Sequence, residues 1–473
     1  MPITDEALLD RGLAQLERAR EWSPRTVAKL EALLGGADET ALVRVNPHRL
    51  ARERGIPAAE AVELFLHATH AGLFHFDWHL LCPNCGIAVD SFASLRTLSC
   101  NIYCVMCDVR AEARLDDYIV VSFTVAPAVR RIAFHEHETL SADDFLYKLR
   151  FTPEVHVGSL DGPRMVELVR PLVQVLTWVP AGGTHAFTLE AGPGMISFAE
   201  FQGHTARTTA SGEPGAAARF HAVVDEHALT IDVPALAGGH LEGTVTNRRA
   251  HPVVFCVTHR PTEMVGGPPP PIAVEPLLTG AALLTNQTFR RLFRAETVPG
   301  TEGIGVRDVT ILFTDLKGST ALYERIGDLK AYALVQQHFA HITAAVQANG
   351  GAVVKTIGDA VMAAFGSPAD AVRAAVAMQA GGHGDDLVLK IGLHRGPSIA
   401  VTLNDNLDYF GQTVNVAARV QGQAGAHEIC VSDEVYRADG VAALLASVAS
   451  DEAQLRGIRR PVLVHRTVRR IEP

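Results

Sequence analysis

The chain has 473 residues, a formal net charge of −10 and an isoelectric point near 6.1. This length predicts about two to four domains, each with enough apolar side chains for a core. The acidic balance makes nucleic acid an unlikely partner, and no apolar stretch reaches the roughly 18 residues of a membrane-spanning helix. The first residues lack the basic and apolar segments of a signal peptide, so we expect a cytoplasmic protein without membrane contact.

The front of the sequence is typical of short helices. A helix is predicted over residues 5–34, with an interruption near Ser23-Pro24 and an end at Gly35-Gly36. Two shorter helices around Gly55-Ile56-Pro57 follow, as in a winged-helix or helix-turn-helix unit. Such pairs also serve as plain packing units, and the local charge is mixed. We therefore interpret residues 1–80 as a helical, winged-helix-like region and assign it no partner.

Two Cys-x-x-Cys pairs follow, with 18 residues between them. Four thiolates at this spacing close a tetrahedron around Zn²⁺ and leave no position for a substrate, although four free or transiently oxidised thiols are the alternative. We predict a structural zinc site in a zinc-ribbon-like module over residues 81–110. Its ligands would be Cys82, Cys85, Cys104 and Cys107. Cys100 would be a spare thiol, and Cys256 and Cys430 lie in apolar runs where burial is expected.

Residues 111–265 contain short apolar runs divided by Gly, Pro and Asp, which predicts a mostly antiparallel, β-sandwich-like regulatory domain. One helix interrupts it after Ser141. His135 and His137 would face the same side of a strand and could share a metal, although a solvated strand end is the commoner explanation. Residues 266–305 are predicted to be a Pro-rich linker with a short amphipathic connecting helix over residues 283–294. This helix would be either a transmission element or a passive spacer.

Residues 306–473 alternate strand and helix signals, which predicts an α+β domain at the end of an α+β multidomain chain. Asp315 ends a strand, and Asp359 lies in the turn of a hairpin that can pair with it. Two carboxylates at neighbouring strand ends form an oxygen-lined site that suits Mg²⁺ or Mn²⁺. Turn chemistry explains each aspartate alone, but not their occurrence together with four further polar residues. These four are Lys355, Asp408, Asn415 and Arg419.

Three segments, 313–320, 355–359 and 408–419, resemble the class III adenylyl and guanylyl cyclase catalytic domain. The resemblance covers the last third of the chain. It implies ferredoxin-like modules that form a homodimer with shared active sites, and conversion of ATP or GTP into a cyclic monophosphate and pyrophosphate with two metal ions per site. The preceding region is similar to the uncharacterised regulatory region of some bacterial cyclases, a resemblance that implies no ligand.

The resemblance implies that Asp315, Asp359 and the Leu316 carbonyl hold the metal ions. The amides of residues 318–320 would cradle phosphates, and Ser319 stands where the family usually has an aromatic residue. Arg456 stands where relatives often carry a phosphate-binding lysine. The predicted phosphate-binding residues are therefore Gly318, Ser319, Thr320 and Arg456.

The geometry of donors and acceptors predicts the base. Adenine presents an acceptor at N1 and a donor at its 6-amino group, which match Lys355 and Asp408, whereas guanine presents the reverse. Asn415 and Arg419 lie four apart on one helix face. There Arg419 can stabilise the α-phosphoryl transition state and Asn415 can hold the ribose.

These residues together predict an adenylate cyclase that uses ATP with Mg²⁺ or Mn²⁺ as a homodimer. A regulatory ligand or protein of unknown identity would act on its zinc-bearing front region. The alternatives are a guanylate cyclase and a catalytically weak, nucleotide-binding zinc regulator.

Overall fold

The computed structural model describes residues 3–213, 216–298, 303–317, 324–380, 388–445 and 448–467. The chain forms two compact units. The first comprises Met1–Ala93, Ser99–Ala113 and Val120–Leu277, and the second comprises Ser94–Leu98, Arg114–Ile119 and Leu278–Pro473. Two short segments of the front half therefore belong to the second unit. The finer division into five sequence segments stays a prediction.

The first unit begins with helices whose ends coincide with capping residues and glycines in the sequence. The predicted helix over residues 5–34 is two helices, and Asp5 caps the first by accepting from the Leu8 amide at 2.9 Å. Asn46 caps the third helix, and Gly55 ends it in the left-handed conformation. The winged-helix arrangement stays a prediction. The helices are α1 (Glu6–Ala19), α2 (Thr26–Leu34), α3 (Pro47–Arg54), α4 (Ala58–His70) and α5 (Met165–Val169).

The rest of the first unit is rich in strands, as predicted. The strands are β1 (Phe74–Leu81), β2 (Ala88–Phe92), β3 (Asn101–Cys104), β4 (Val109–Glu112), β5 (Ile119–Val125), β6 (Val155–Val157), β7 (Val173–Val179), β8 (Thr184–Ala191), β9 (Gly194–Glu200), β10 (Thr205–Ser211), β11 (Arg219–Val224), β12 (Leu229–Ile231), β13 (Ala235–Leu236), β14 (Gly239–Asn247), β15 (Val253–Pro261) and β16 (Ile272–Val274). Strand order is β13-β10-β9-β15-β7 in one large sheet and β12-β11-β14-β8 in another. Both contribute to one core, Phe198 and Phe255 from the first sheet and Phe220 and Val245 from the second. The two sheets are therefore the layers of a sandwich.

Smaller sheets complete the first unit. Strands β2-β1-β5 form a three-stranded sheet, and β3 pairs with β4 in a hairpin. After the proline run, β16 pairs antiparallel with β6, so a part of the predicted linker is a strand of this unit. Ser141 accepts from the Asp144 amide at 3.0 Å, where a π-helix over Asp144–Arg150 stands in place of the predicted helix.

The prediction for His135 and His137 is wrong. The two residues lie in successive 3₁₀ turns, Ala133–His135 and His137–Thr139, and not on a strand. The His135 ring forms a hydrogen bond with the Val125 carbonyl at 2.8 Å, which directs this ring toward β5. The two histidines are therefore not placed on a common face by the alternation of side chains along a strand.

The second unit is an α+β layer structure. Its helices are α6 (Gly280–Leu284), α7 (Gln287–Leu292), α8 (Asp328–Ala348), α9 (Pro368–Ala380), α10 (Gln412–Gln421), α11 (Asp433–Tyr436) and α12 (Val441–Leu444). Its strands are β17 (Ile304–Lys317), β18 (Gly351–Ile357), β19 (Ala360–Phe365), β20 (Val388–Leu403), β21 (Asn406–Phe410), β22 (Ile429–Ser432), β23 (Val448–Ala453) and β24 (Val462–Thr467). The sheet order is β18-β19-β17-β20-β22-β24-β23, and β21 pairs with β20.

Helices cover both faces of this sheet. Ile342 of α8 and Met378 of α9 pack with Val431 in the larger core, whereas Val416 of α10 packs with Cys430 in a smaller one. Because successive residues of a strand point to opposite faces, α10 lies across the sheet from α8 and α9.

The predicted single connecting helix over residues 283–294 is wrong, because the chain forms two helices, α6 and α7. Asn286 lies between them in an extended conformation, and its side chain accepts from the Phe289 amide at 2.8 Å. An asparagine that caps the second helix ends the first. In the part of the chain that the structure describes, no helix combines the length and the apolar composition needed to cross a membrane.

Candidate active site

The two predicted metal-binding aspartates lie at the same end of the neighbouring strands β17 and β19. Strands β17 and β19 are antiparallel, with Phe313 opposite Met362, and the Val361 amide donates to the Thr314 hydroxyl at 3.0 Å. Asp315 follows Thr314 directly, and Asp359 lies in the turn between β18 and β19. Because β19 begins immediately after this turn, its register brings the turn to the end of β17 that carries Asp315 and Leu316. Gly318, Ser319 and Thr320 lie outside the described residues, and their roles stay predictions.

The two predicted base-selecting residues are in direct contact. Lys355 on β18 and Asp408 on β21 are 53 positions apart in sequence, and the Lys355 Nζ lies 2.5 Å from the Asp408 Oδ2. The Lys355 side chain is 38% exposed and the Asp408 side chain 7%, so one partner is anchored while the other reaches solvent. The other Asp408 oxygen, Oδ1, accepts from the Tyr409 amide at 2.8 Å. The arrangement presents one cationic donor and one anionic acceptor side by side.

Asn415, Arg419 and Arg456 line one cavity of about 760 Å³. Its remaining lining residues are Phe410, Gly411, Gln412, Gly457, Ile458, Arg459 and Arg460. The Arg419 Nε donates to the Arg456 carbonyl at 3.3 Å, which joins α10 to the loop before β24. Four arginines and no acidic side chain line this cavity, so it favours an anion such as a phosphate group.

Two of these arginines, Arg459 and Arg460, were not predicted from the sequence as site residues. They follow Arg456 after two residues, and this local run of positive charge was the available signal. Within the described residues, no hydrogen bond or ion pair joins Arg419 to the two aspartates or to the Lys355–Asp408 pair.

Close packing fixes the helix that carries Asn415 and Arg419. Gly392 on β20 lies against the last residue of α10, and a Cβ at this glycine would be 2.1 Å from the Gln421 Cα. No side chain fits between the strand and the helix there. The absence of a side chain at Gly392 therefore sets the distance between α10 and the sheet.

The four predicted zinc ligands come together in the first unit. The sulfur atoms of Cys82, Cys85, Cys104 and Cys107 all lie within 4.8 Å of one another. The distance between the Cys85 and Cys104 sulfurs is 3.8 Å. A tetrahedral zinc ion with bonds of about 2.3 Å to sulfur requires sulfur pairs about 3.8 Å apart, so these residues fit the ion.

The protein chain also favours a thiolate at this cluster. Hydrogen bonds from the thiols of Cys104, Cys107 and Cys85 lower the pKa of Cys82, and hydrogen bonding within the same cluster raises the pKa of Cys85 and of Cys104. Of these three thiols, Cys82 is therefore the one favoured as a thiolate. The Gly86 amide donates to the Cys82 carbonyl at 2.9 Å, and this turn directs both sulfurs of the first pair to one side. Cys256 and Cys430 are buried, as predicted.

Two family models match the chain. The model described as the adenylate and guanylate cyclase catalytic domain matches residues 304–466. The model described as a family of unknown function, DUF5939, matches residues 11–291.

Relatives and solved structures each match a part of the chain. An uncharacterized protein of Mycobacterium tuberculosis, Rv2212, is 37% identical over 125 residues, which are 26% of this chain and 32% of that protein. The adenylate cyclase of Anabaena cylindrica is 30% identical over 154 residues, 28% of this chain and 30% of that protein. The chain thus spans about a third of the length of these curated relatives. The crystal structure of the adenylyl cyclase CyaB from P. aeruginosa is 23% identical with a TM-score of 0.32, over 36% of this chain and 96% of that chain.

The front and the end of the chain therefore have separate assignments, and both follow from matched sequence. The chain belongs to the family of unknown function DUF5939, and its C-terminal part is an adenylate and guanylate cyclase catalytic domain.

Proposed function

We propose that the protein is an adenylate cyclase that converts ATP into 3′,5′-cyclic AMP and pyrophosphate. The observation that carries this proposal is the contact between Lys355 and Asp408. The ammonium group can donate to adenine N1, and the carboxylate can accept from the 6-amino group. With guanine both contacts would be mispaired, at a cost of about 1–3 kcal/mol each. The relative from Anabaena cylindrica, which is named an adenylate cyclase, supports the same choice.

The arginine-lined cavity supports a role in phosphoryl transfer. Negative charge develops on the α-phosphoryl oxygens while the ribose 3′-oxygen attacks and pyrophosphate leaves. Arg419 can donate several N–H groups to these oxygens, and Asn415, one turn earlier on α10, can hold the ribose. Arg456 and its neighbours Arg459 and Arg460 supply the charge that holds the departing pyrophosphate.

The aspartates supply the chemistry of a divalent-cation site. Asp315, Asp359 and the Leu316 carbonyl offer the oxygen donors that Mg²⁺ or Mn²⁺ prefers. Two bound ions would lower the pKa of the 3′-hydroxyl group and neutralise charge on the triphosphate. Gly318, Ser319 and Thr320 are proposed to bind phosphate oxygens through their amides.

We infer that two copies of the chain build each active site. The Arg419 cavity and the aspartates are not joined by contacts within the described part of one chain. Both groups also lie beside exposed apolar side chains, since Ile357 is 51% exposed and Phe410 is 64% exposed. Large apolar side chains at the rim of polar groups favour a protein interface.

Nucleotide turnover tests the reaction. Purified full-length protein is incubated with ATP or GTP and with Mn²⁺ or Mg²⁺, and the products are separated by chromatography. Cyclic AMP formation well above cyclic GTP formation is the expected result. Comparable GTP turnover would favour a guanylate cyclase, and nucleotide binding without any product would favour a zinc-containing regulator.

Mixing inactive variants tests the shared site. Asp315→Ala and Arg419→Ala proteins should each be inactive, and their mixture should regain up to about one good site per heterodimer. A mixture of Asp315→Ala with Asp359→Ala is the matched control, because both changes fall in the same half of the site, and it should stay inactive. No recovery in the first mixture would contradict the shared site.

We further propose that Zn²⁺ occupies the four-cysteine cluster and has a structural role. Four thiolates complete its coordination and leave no open position for a substrate. Metal analysis of purified protein should give one zinc per chain, and a Cys85→Ser/Cys104→Ser protein should give none. A full zinc content in that variant would place the ion elsewhere.

A further inference from the structure

The short helix α7 contacts both strands that carry the Lys355–Asp408 pair. The Gln287 side-chain oxygen accepts from the Val353 amide at 2.7 Å, two residues before Lys355. The Arg290 Nη1 donates to the Leu407 carbonyl at 2.8 Å, immediately before Asp408. A single helical turn therefore connects the backbones of β18 and β21 next to the two side chains.

The contact made by Gln287 lies at an irregularity in β18. Val353 is opposite Ala363 and Lys355 is opposite Met362, so Val354 is an extra residue on this strand. A bulge of this kind interrupts the ladder of hydrogen bonds and redirects the next side chain. Gln287 supplies an acceptor for the amide beside the bulge, and this stabilises the backbone conformation that aims Lys355.

Arg290 holds the chain on both sides of Asp408. Its Nε donates to the Leu284 carbonyl at 2.7 Å, and its guanidinium group lies 5.7 Å from the centre of the buried Tyr409 ring. Together with the bond to the Leu407 carbonyl, these contacts tie the base-reading segment to the end of α6. A lysine cannot make them all, because its single ammonium group lacks the planar fork of donors.

We propose that Gln287 and Arg290 are positioning residues that set the separation and direction of Lys355 and Asp408 and thereby the choice of base. This rests on the proposed function of that pair as the reader of adenine. Both residues act on the backbone of the strands and on Tyr409, and not on the nucleotide. A change at either position should therefore alter discrimination between ATP and GTP more than the rate of the chemical step.

The test is the ratio of kcat/KM for ATP to kcat/KM for GTP, measured on full-length protein. Arg290→Gln and Gln287→Leu should raise KM for ATP and lower the ratio at least fivefold. Gln287→Glu keeps an acceptor for the Val353 amide, and Arg291→Gln removes an exposed charge from the same helix. Both controls should keep the ratio within twofold of the parent protein.

An unchanged ratio in Gln287→Leu would overturn the inference, even if kcat falls for both nucleotides. If Arg290→Gln fails to fold, as judged by circular dichroism and thermal melting, the inference is tested by comparing the ATP-to-GTP ratio of Gln287→Leu with that of Gln287→Glu. A Lys355→Glu/Asp408→Ser protein distinguishes a failure of the proposed base-reading pair from a failure of the positioning role alone. If it does not shift preference toward GTP, the proposed function and the inference both fail, whereas a shift without any effect of Gln287→Leu overturns the inference alone.

Discussion

Arg419 contributes a fork of donors to a cavity that already contains three other arginines. Its replacement by lysine keeps the charge but removes the planar geometry that fits a phosphoryl group. We expect Arg419→Lys to lower kcat about 100-fold with little change in KM, because the lost contacts are strongest in the transition state. Steady-state kinetics with ATP measure kcat and KM for the variant and the parent protein.

Arg437→Lys is the control for this substitution. Arg437 lies in the same unit, is exposed, and pairs with Asp433 at 2.8 Å outside the cavity. It should retain the kinetics of the parent protein. A rise in KM for Arg419→Lys with unchanged kcat would mean that Arg419 only binds the ground state.

The three cysteines outside the four-cysteine cluster differ in their expected reactivity. Burial raises the pKa of Cys256 and of Cys430 to about 12, and burial and then Glu112 raise the pKa of Cys100 to about 11. A raised pKa lowers the thiolate fraction at a given pH, and only the thiolate reacts quickly. In folded protein at pH 8, iodoacetamide should leave Cys256 and Cys430 unmodified and should modify Cys100 slowly.

The rate at Cys100 should rise about tenfold for each pH unit between 8 and 10, because the thiolate fraction rises by that factor well below the pKa. Mass spectrometry of the alkylated peptides measures each site. Urea-unfolded protein is the control, in which all three thiols should react readily. Fast labelling of Cys256 in folded protein at pH 8 would contradict its burial.

Among the packed elements of the second unit, β20 and α10 approach each other closely at Gly392. A methyl group at Gly392 would meet the Gln421 backbone at 2.1 Å, so Gly392→Ala must move the helix or the strand. Because α10 carries both Asn415 and Arg419, a displacement of about 1 Å is enough to lower activity about 100-fold. Cyclase assays and thermal melting of the variant measure the effect.

Gly366→Ala is the matched control in the same unit. The nearest atom to a Cβ at Gly366 is the Thr285 hydroxyl oxygen at 3.8 Å, which is an ordinary contact. This variant should keep full activity. Equal activity of Gly392→Ala and Gly366→Ala would show that the helix can shift without harm to the site.

The elements that the sequence predicted well are those with local signals. The hairpin around Asp359 and the two helices around Gly55-Ile56-Pro57 follow from turn and capping chemistry within a few residues. The break at Asn286 was missed because the apolar pattern continues across it, and only the side-chain cap reveals two helices. The sequence assigned Lys355 and Asp408 to one base through their matched chemistry. It carries no local signal for their direct contact or for the hydrogen bond from the Val353 amide to Gln287 beside the bulge.

In the whole molecule, the makeup of the second unit is the feature that the sequence indicates least, because this unit includes two segments from the front half of the chain. Residues 94–98 and 114–119 flank the hairpin that carries Cys104 and Cys107, yet they belong to the second unit. The Leu115 amide donates to the Gly305 carbonyl at 3.0 Å, and the Ala281 amide donates to the Leu115 carbonyl at 2.7 Å. Such backbone pairing of distant segments depends on the fold and leaves no periodic pattern in the sequence.

Substitutions at Asp116 test whether a side chain of residues 114–119 stabilises the second unit. The Asp116 Oδ2 accepts from the Asp308 amide at 3.0 Å, and the Asp308 carboxylate in turn binds Arg395 through bonds of 2.7 and 2.8 Å. Asp116→Ala removes the acceptor of the Asp308 amide, which lies at the irregularity of β17 between Val306 and Val309, and should lower the stability of this unit by about 1–2 kcal/mol.

Asp116→Asn is the matched control, because its side-chain oxygen still accepts from the Asp308 amide while the charge is lost. Thermal melting of both full-length variants should therefore show a lower transition for alanine and a transition close to that of the parent protein for asparagine. Equal loss in both would assign the effect to charge. No loss in either would mean that the hydrogen bond from the Asp308 amide to Asp116 contributes little to the stability of the domain that contains Asp315 and Arg419.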